Sequence, residues 1–488
     1  MIEWISSILL VVAFVALLKI LGLNKRGNDI IEIALDSLEV LSLAEISDKE
    51  KESRLQRNSI KLFGLFFRLI FGFAIVLGLP LGLLWLGGQV GIISFYSVLN
   101  LTISPLFLIV STLFVFLYLY LQNRKHSSSE DQTNSYSTLD KALHKMAFRT
   151  YATQVSLASL EDKIFSKKLS DFQPDKPVFI TALPRAGTTL ILECIANVPE
   201  FATHRYRDMP FVLIPCFWNS YSRIFQRKVE SQERAHGDGM QISPDSPEAL
   251  EEVVWTTFWK RHYKTDRIIP WELEKNKEFD SFFRSHIRKI IVLRRSKLLG
   301  FTRYVSKNNA NIARTETLKK LFPDSIIVVP FRNPLHHAAS LLQQHLNFLS
   351  IHKTDTFAAE YMKAIGHYDF GQNLCPIDFD NWLDRRMSED SKSVAFWLEY
   401  WVASYKYLLE RSSNRLNFLN YDSLCEDPER GLRRIAEIVE SSNPDAIVAK
   451  ASLIGRPRPK QIDTTLIPKS LLQEVEDTYE TLKERAYR

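Results

Sequence analysis

The stretch KPVFITALPRAGTTLILECIANVP (176–199) decides how the rest of the chain reads. Val178 to Thr181 is a short β-rich run bounded by Pro177, and Leu190 to Asn197 has helical spacing and stops before Pro199. Between them sits ALPRAGTT. A strand, a glycine-containing turn and a helix start make an anion site. The free N–H groups of the first turn and the positive end of the helix dipole point at one place. Gly187 permits close backbone approach. Thr188 and Thr189 add hydroxyl donors, and Arg185 adds a fixed positive charge suited to a tetrahedral anion. A nucleoside-triphosphate loop of the form Gly-x-x-x-x-Gly-Lys-[Ser/Thr] is not present: Ala182 stands at the first glycine and Thr188 at the lysine.

A second segment, FPDSIIVVPFRNPLHHAASLLQQH (322–345), repeats the pattern. Ile326 to Val329 reads as a buried strand, PFRNP as a turn, and Leu335 onward as a helix. Two adjacent histidines cannot both face one site on a helix, so His336 and His337 are expected to be partly exposed.

PRAGTTLI resembles the 5′-phosphosulfate loop of the sulfotransferases, whose pattern is close to Pro-[Arg/Lys]-[Ser/Thr/Ala]-Gly-Thr-[Thr/Ser]. That family also has a strand–Arg-[Asp/Asn]-Pro–helix unit whose Arg, with a Ser eight residues later, holds a 3′-phosphate. Arg332 and Ser340 have that spacing, with Asn333 where the family often has Asp. RYVSKNNANIARTETLKKLFP (303–323) resembles the strand and Lys turn that precede this unit, through Lys307, Asn308 and Arg314. RLNFLNYDSLCEDPERGLRRIAEIV (415–439) resembles the family's late strand, Asp-Pro turn and following helix. Arg456, Arg458 and Lys460 lie where cytosolic members carry a basic nucleotide-binding loop. The resemblance runs from about residue 175 to 440.

The resemblance implies a three-layer α/β domain, P-loop-like, with a mainly parallel sheet. It also implies a donor, 3′-phosphoadenosine-5′-phosphosulfate (PAPS), and no metal. Arg185, Ala186, Gly187, Thr188 and Thr189 would hold its 5′ side, and Arg332 and Ser340 its 3′-phosphate. Transfer needs an in-line acceptor, donors that absorb charge on the leaving phosphate, and a base for the acceptor proton. Arg185 supplies the electrostatic part. For the base, THRYRDMPF (203–211) offers Asp208 and His204, with Glu251 or Glu252 next. The aromatic run VVWTTFWKRHY (253–263) reads as core. A nucleotide kinase or other NTPase with an altered loop is the main alternative, and an inactive membrane scaffold with this fold is another.

The 488 residues are too many for one average domain. A net charge of +6 without a long basic block fits anionic ligands or a membrane surface and argues against a nucleic-acid partner. The four scattered cysteines have no CxxC pair and read as reduced, buried thiols.

Before residue 124 the chain changes character. Apolar stretches run from about Ile5 to Leu23, Leu69 to Leu86 and Ile103 to Leu121, and no Asp, Glu, Lys or Arg lies between Arg68 and Arg124. Each approaches the roughly 20 residues a spanning helix needs. The second and third read as a hairpin joined by GGQVGIISFYSVLN. The first carries no positive leader and no cleavage pattern, against a signal peptide. Lys25, Arg26, Lys49, Lys51, Arg54, Arg57 and Lys61 lie between the first two, and Arg124 and Lys125 follow the third. The positive-inside rule then places the catalytic domain on the cytoplasmic face of a multi-pass, integral membrane protein. The large domain lacks any Asn-x-Ser/Thr acceptor, in keeping with this. Residues 29–61 have the apolar spacing of an amphipathic helix, and 126–138 read as a polar linker. The expected division is a membrane module over 1–125, a linker and lead-in helix over 126–175, and a sulfotransferase domain over 176–488. The acceptor cannot be read; proximity to the bilayer points to a lipid or saccharide.

Overall fold

The computed structural model describes residues 2–23, 48–91, 93–102, 138–170, 172–222, 245–295, 302–411, 416–455 and 462–486, with short pieces at 29–30, 33, 37, 104, 107, 232–233 and 241–243. The chain divides into two compact units, Met1–Asp140 and Lys141–Arg488.

The first unit is helical. Its first apolar stretch is the helix Ile2–Ile20. The second belongs to one long helix, Asp48–Gln89, which also takes in the charged residues from Asp48 to Lys61. No proline separates the two parts, and Glu50 pairs with Arg54 one turn on. Of the amphipathic helix expected over 29–61, residues 48–61 run on into this longer helix, and most of 29–47 lies outside the described residues. Among the described residues one helix, Glu52–Gln89, is long and apolar enough to cross a membrane. Phe63, Phe67, Phe71 and Leu83 on it are 66%, 61%, 71% and 63% exposed, an outward apolar surface that water does not favour. The connection after it holds a further helix, Phe95–Thr102, so it is not a bare turn. The third apolar stretch, the 126–138 linker and the basic residues Arg456, Arg458 and Lys460 lie outside the described residues, apart from isolated positions at 104, 107 and 138.

The second unit is built on a five-stranded sheet, with β1 Val178–Ile180, β2 Phe201–Ala202, β5 Arg303–Lys307, β6 Ile326–Phe331 and β7 Leu416–Asn420. Its order is β2-β5-β1-β6-β7, and every pairing is parallel. Gln232–Glu233 (β3) and Gln241–Ile242 (β4) form a separate antiparallel pair. Alternate strand residues serve opposite faces. Phe179, Tyr304, Ile327, Val329 and Phe331 face one core with helices Lys277–Arg294, Pro334–Thr354 and Val394–Arg411. Val178, Ile180, Val305, Ile326 and Val328 face the other, with helices Thr188–Ala196 and Pro428–Ile438. Both faces are covered, which is why the strands read as continuous apolar runs. The result is the three-layer α/β domain with a parallel sheet. Trp255 and Trp259 are buried in the first core, as the 253–263 run suggests. Cys194, Cys216, Cys375 and Cys425 are buried and unbridged.

β1 lies at the centre. From β1 the chain goes to the edge strand β2, returns through β5 beside β1, and then crosses to β6 on β1's other side. In parallel sheets the crevice beyond the strand ends at such a reversal is where ligands bind.

Candidate active site

The loop after β1 enters the helix Thr188–Ala196, whose Ile191, Leu192 and Ile195 pack against the sheet. Two residues bend it. Gly187 has φ 89° and Arg185 has φ 70°. The left-handed region is costly for a side-chain-bearing residue, so Arg185 is held there by its surroundings. At Gly187 a Cβ would lie 2.1 Å from the Tyr421 ring, so glycine is needed for space as well as for conformation. Ala186 and Thr188 are buried, while Arg185 and Thr189 are partly exposed.

The second anion-directed segment meets this loop. Asn333 starts the helix Pro334–Thr354 by accepting from the His336 N–H, 3.1 Å away. Asn does the capping here as well as Asp would. Arg332 Nη1 donates to the Arg185 carbonyl at 3.4 Å, and Arg185 Nε donates to Ser340 Oγ at 3.4 Å. The Arg332 guanidinium sits 5.7 Å over the Tyr421 ring, and its buried Nε has no partner among the described residues. A buried unpaired donor is costly, so this group is set for an acceptor.

His337 corrects the expectation of partial exposure. It is fully buried, and its Nε2–H donates to the Pro184 carbonyl at 2.8 Å. Burial, with the nearby Arg332 charge, pushes its pKa down to about 3, so the ring is neutral. His336 is half-exposed.

A cavity opens beside the loop. Pro184, Arg185, Thr188 and Thr189 line one side, and Lys307, Asn308 and Asn309, at the end of β5, the next. Glu252 and the 365–377 segment close it, with Phe370, Trp397 and Tyr400 giving it an aromatic floor. Thr188 Oγ1 donates to Asn309 Oδ1 at 3.4 Å, and Asn309 Nδ2 to Asp369 Oδ2 at 3.3 Å. The segment bearing Asp369 and His367 escaped the sequence reading. The only signal was a cluster of histidine, tyrosine and aspartate after a helix.

His204 and Asp208 are not among the residues lining the cavity. Both are buried in a cluster of their own. His204 Nε2 lies 3.1 Å from His286 Nε2, and Asp208 pairs with Arg294 and accepts the Arg205 N–H at 2.9 Å. Glu251 accepts from Trp255 Nε1 at 3.2 Å, Tyr304 OH at 3.1 Å and Asn311 Nδ2 at 2.8 Å, and also from Ser306. Glu252 lines the cavity, but its carboxylate pairs with buried Arg314 and accepts from Asn308 Nδ2 at 2.7 Å. Arg314, flagged alongside Lys307 and Asn308, lies instead in the core, its guanidinium 3.9 Å over the Trp255 ring. The two sequence-selected anion segments thus come together, while the candidate bases from 203–211 do not join them. Among the described residues no group of three or more His, Cys, Asp or Glu is placed to hold a metal ion.

A family model described as the sulfotransferase family matches residues 177–445, more than half of the chain. The chain belongs to the sulfotransferase family. The match begins just before the loop strand and ends beyond β7, so it contains both anion segments and the cavity. Sulfotransferase STF9 from Mycobacterium avium is 12% identical, with a TM-score of 0.41 over 72% of this chain and 87% of that one. Sulfotransferase STF1 from Mycobacterium tuberculosis is 12% identical, with a TM-score of 0.34 over 71% of this chain and 86% of that one. The sulfotransferase domain of a Synechococcus olefin synthase is 13% identical, with a TM-score of 0.28 over 64% and 95%. No curated protein matches the chain.

Proposed function

We propose that this sulfotransferase takes its sulfuryl group from PAPS and delivers it to a hydroxyl or amine on a lipid or saccharide at a membrane. One observation carries the donor assignment. The loop after β1 and the Arg332–Ser340 unit are joined through Arg185, so the two anion-directed segments lie side by side, the loop facing the cavity and Arg332 and Ser340 just behind its lining. A donor with phosphate at both its 5′ and 3′ positions matches that pairing. Arg185, Ala186, Gly187, Thr188 and Thr189 would hold the 5′ side, and the unpaired Arg332 Nε, with Ser340, the 3′-phosphate. The donor supplies an activated sulfuryl group on a phosphate leaving group. The protein's share is to position it, to place Arg185 and the first-turn N–H groups against the leaving charge, and to exclude water.

The apolar helix Glu52–Gln89 supports a bilayer as partner, and the flanking Lys and Arg residues favour a cytoplasmic catalytic face. A C-terminal reporter active only outside the cytoplasm should stay silent; a signal from it reverses the orientation. The retained Arg185, Thr188, Arg332 and Ser340 argue against an inactive scaffold. The deciding test adds radiolabelled PAPS to purified protein and a membrane extract. Label should enter a lipid or saccharide fraction, and label left wholly on the donor or in free sulfate sinks the reading.

The donor's 3′-phosphate gives a sharper check. The product bisphosphate should bind far better than AMP, because a charged hydrogen bond contributes about 1.5–3 kcal/mol. Arg332→Ala should weaken the bisphosphate by about tenfold to a hundredfold and leave AMP almost unchanged. Calorimetry with both ligands measures this, and equal weakening of both would show that Arg332 does not read the 3′ end.

A further inference from the structure

We infer that His367, oriented by Asp369, is the base that takes the acceptor proton, an assignment that rests on the sulfuryl-transfer reading above. His367 and Asp369 line the same cavity as Arg185 and Thr188. Their His367 Nε2 to Asp369 Oδ2 separation is 3.7 Å. Asp369 is in turn tied to the loop, through Asn309 to Thr188. Hydrogen bonds therefore run from the anion-binding helix start to Asp369, whose carboxylate lies within ion-pairing distance of the imidazole.

The segment is firmly held. The Gly371 N–H donates to His345 Nδ1 at 3.1 Å, and the Gln372 N–H to His352 Nδ1 at 3.1 Å. The His367 ring packs against Phe348, with centroids 5.6 Å apart, and against Phe370. About 20% of the His367 side chain stays exposed, enough for an acceptor to reach it. Among the cavity carboxylates, Glu252 is committed to Arg314 and Asp369 to Asn309, and Glu248 accepts the Ala249 N–H at 2.9 Å. His367 is the cavity group whose protonation a neighbouring carboxylate would stabilise.

The step balances simply. The acceptor oxygen or nitrogen forms a bond to sulfur as the sulfur–oxygen bond to the leaving phosphate breaks. That bond's electron pair stays on the phosphate oxygen, facing Arg185 and the loop N–H groups. The acceptor proton moves to the His367 imidazole, beside an Asp369 that stays ionised, and then passes to water. Burial holds the His367 pKa below its ordinary value, with Asp369, Glu248 and a hydrogen bond to its own backbone pulling it up and Lys307 pushing it down. The ring is thus neutral near pH 7, as a base must be.

The test uses the full-length protein, radiolabelled PAPS and the membrane extract, with bisphosphate calorimetry beside it. His367→Asn and His367→Gln should each cut transfer by about 10²–10⁴-fold while bisphosphate affinity stays within about twofold. Asp369→Asn should lower transfer less and move the acid limb of the pH–rate profile to lower pH, because the carboxylate no longer raises the imidazole pKa. A His367 variant that transfers within about threefold of wild type overturns the assignment, as does one that loses bisphosphate binding in parallel. If the wild type itself binds no bisphosphate, the donor reading fails first and this assignment falls with it.

Discussion

Arg185→Ala is expected to lower sulfuryl transfer by about 10²–10³-fold, the usual cost of removing one donor aimed at charge that develops in a transition state. Arg185 lines the cavity and donates to Ser340 Oγ at 3.4 Å. Alanine keeps a side chain at the same left-handed φ of 70°, so the backbone strain is unchanged and the variant reports on the charge. The fold should survive, since the residue is partly exposed and lies outside both hydrophobic cores. Label transfer from radiolabelled donor, normalised to bisphosphate binding, gives the measurement. A folded variant with turnover near that of wild type would remove Arg185 from the chemistry.

Asp208→Asn should act on stability, by about 3–5 kcal/mol, through leaving buried Arg294 without its counter-charge. Burial alone would raise the Asp208 pKa, but the adjacent His204 and the Arg294 charge outweigh it and hold it below the usual carboxylate value. A depressed folded pKa has a definite sign. Its stabilisation is complete above the unfolded carboxylate pKa and is lost as pH falls toward the folded value. Wild type should therefore lose stability in strong acid more steeply than Asp208→Asn does. Denaturant titrations at neutral and acid pH check both statements. A variant of wild-type stability that still fails to transfer would return Asp208 to the list of candidate bases.

The parts legible in the sequence were those whose chemistry is local. The loop and the Arg332 unit each carry strand, turn and helix start within two dozen residues, so their structure follows from spacing and capping. The buried strands were equally plain, because a sheet covered on both faces needs unbroken apolar runs. What stayed hidden depends on partners far along the chain. Asp208 takes its role from Arg294, and Glu252 from Arg314. His367 lies in a segment held at the cavity by distant residues, among them Asn309, which bonds Asp369 from sixty positions away, and His345 and His352. His337 misled for a related reason. Its neighbour faces outward, and only the fold reveals that the Pro184 carbonyl waits for the other ring.

That last bond has a wider effect. Through His337, Arg332 and Ser340, the two phosphate-seeking segments are clamped to one another before any ligand arrives. The crevice therefore works as a fixed gauge whose span is set in advance, and little ordering entropy is lost when a molecule of matching length settles in. A nucleotide with both charged ends at that span collects both contacts at once, whereas a shorter or singly charged one must leave Arg332 unsatisfied. On the donor reading proposed above, discrimination among nucleotides would follow from whether both charged ends are present at that span.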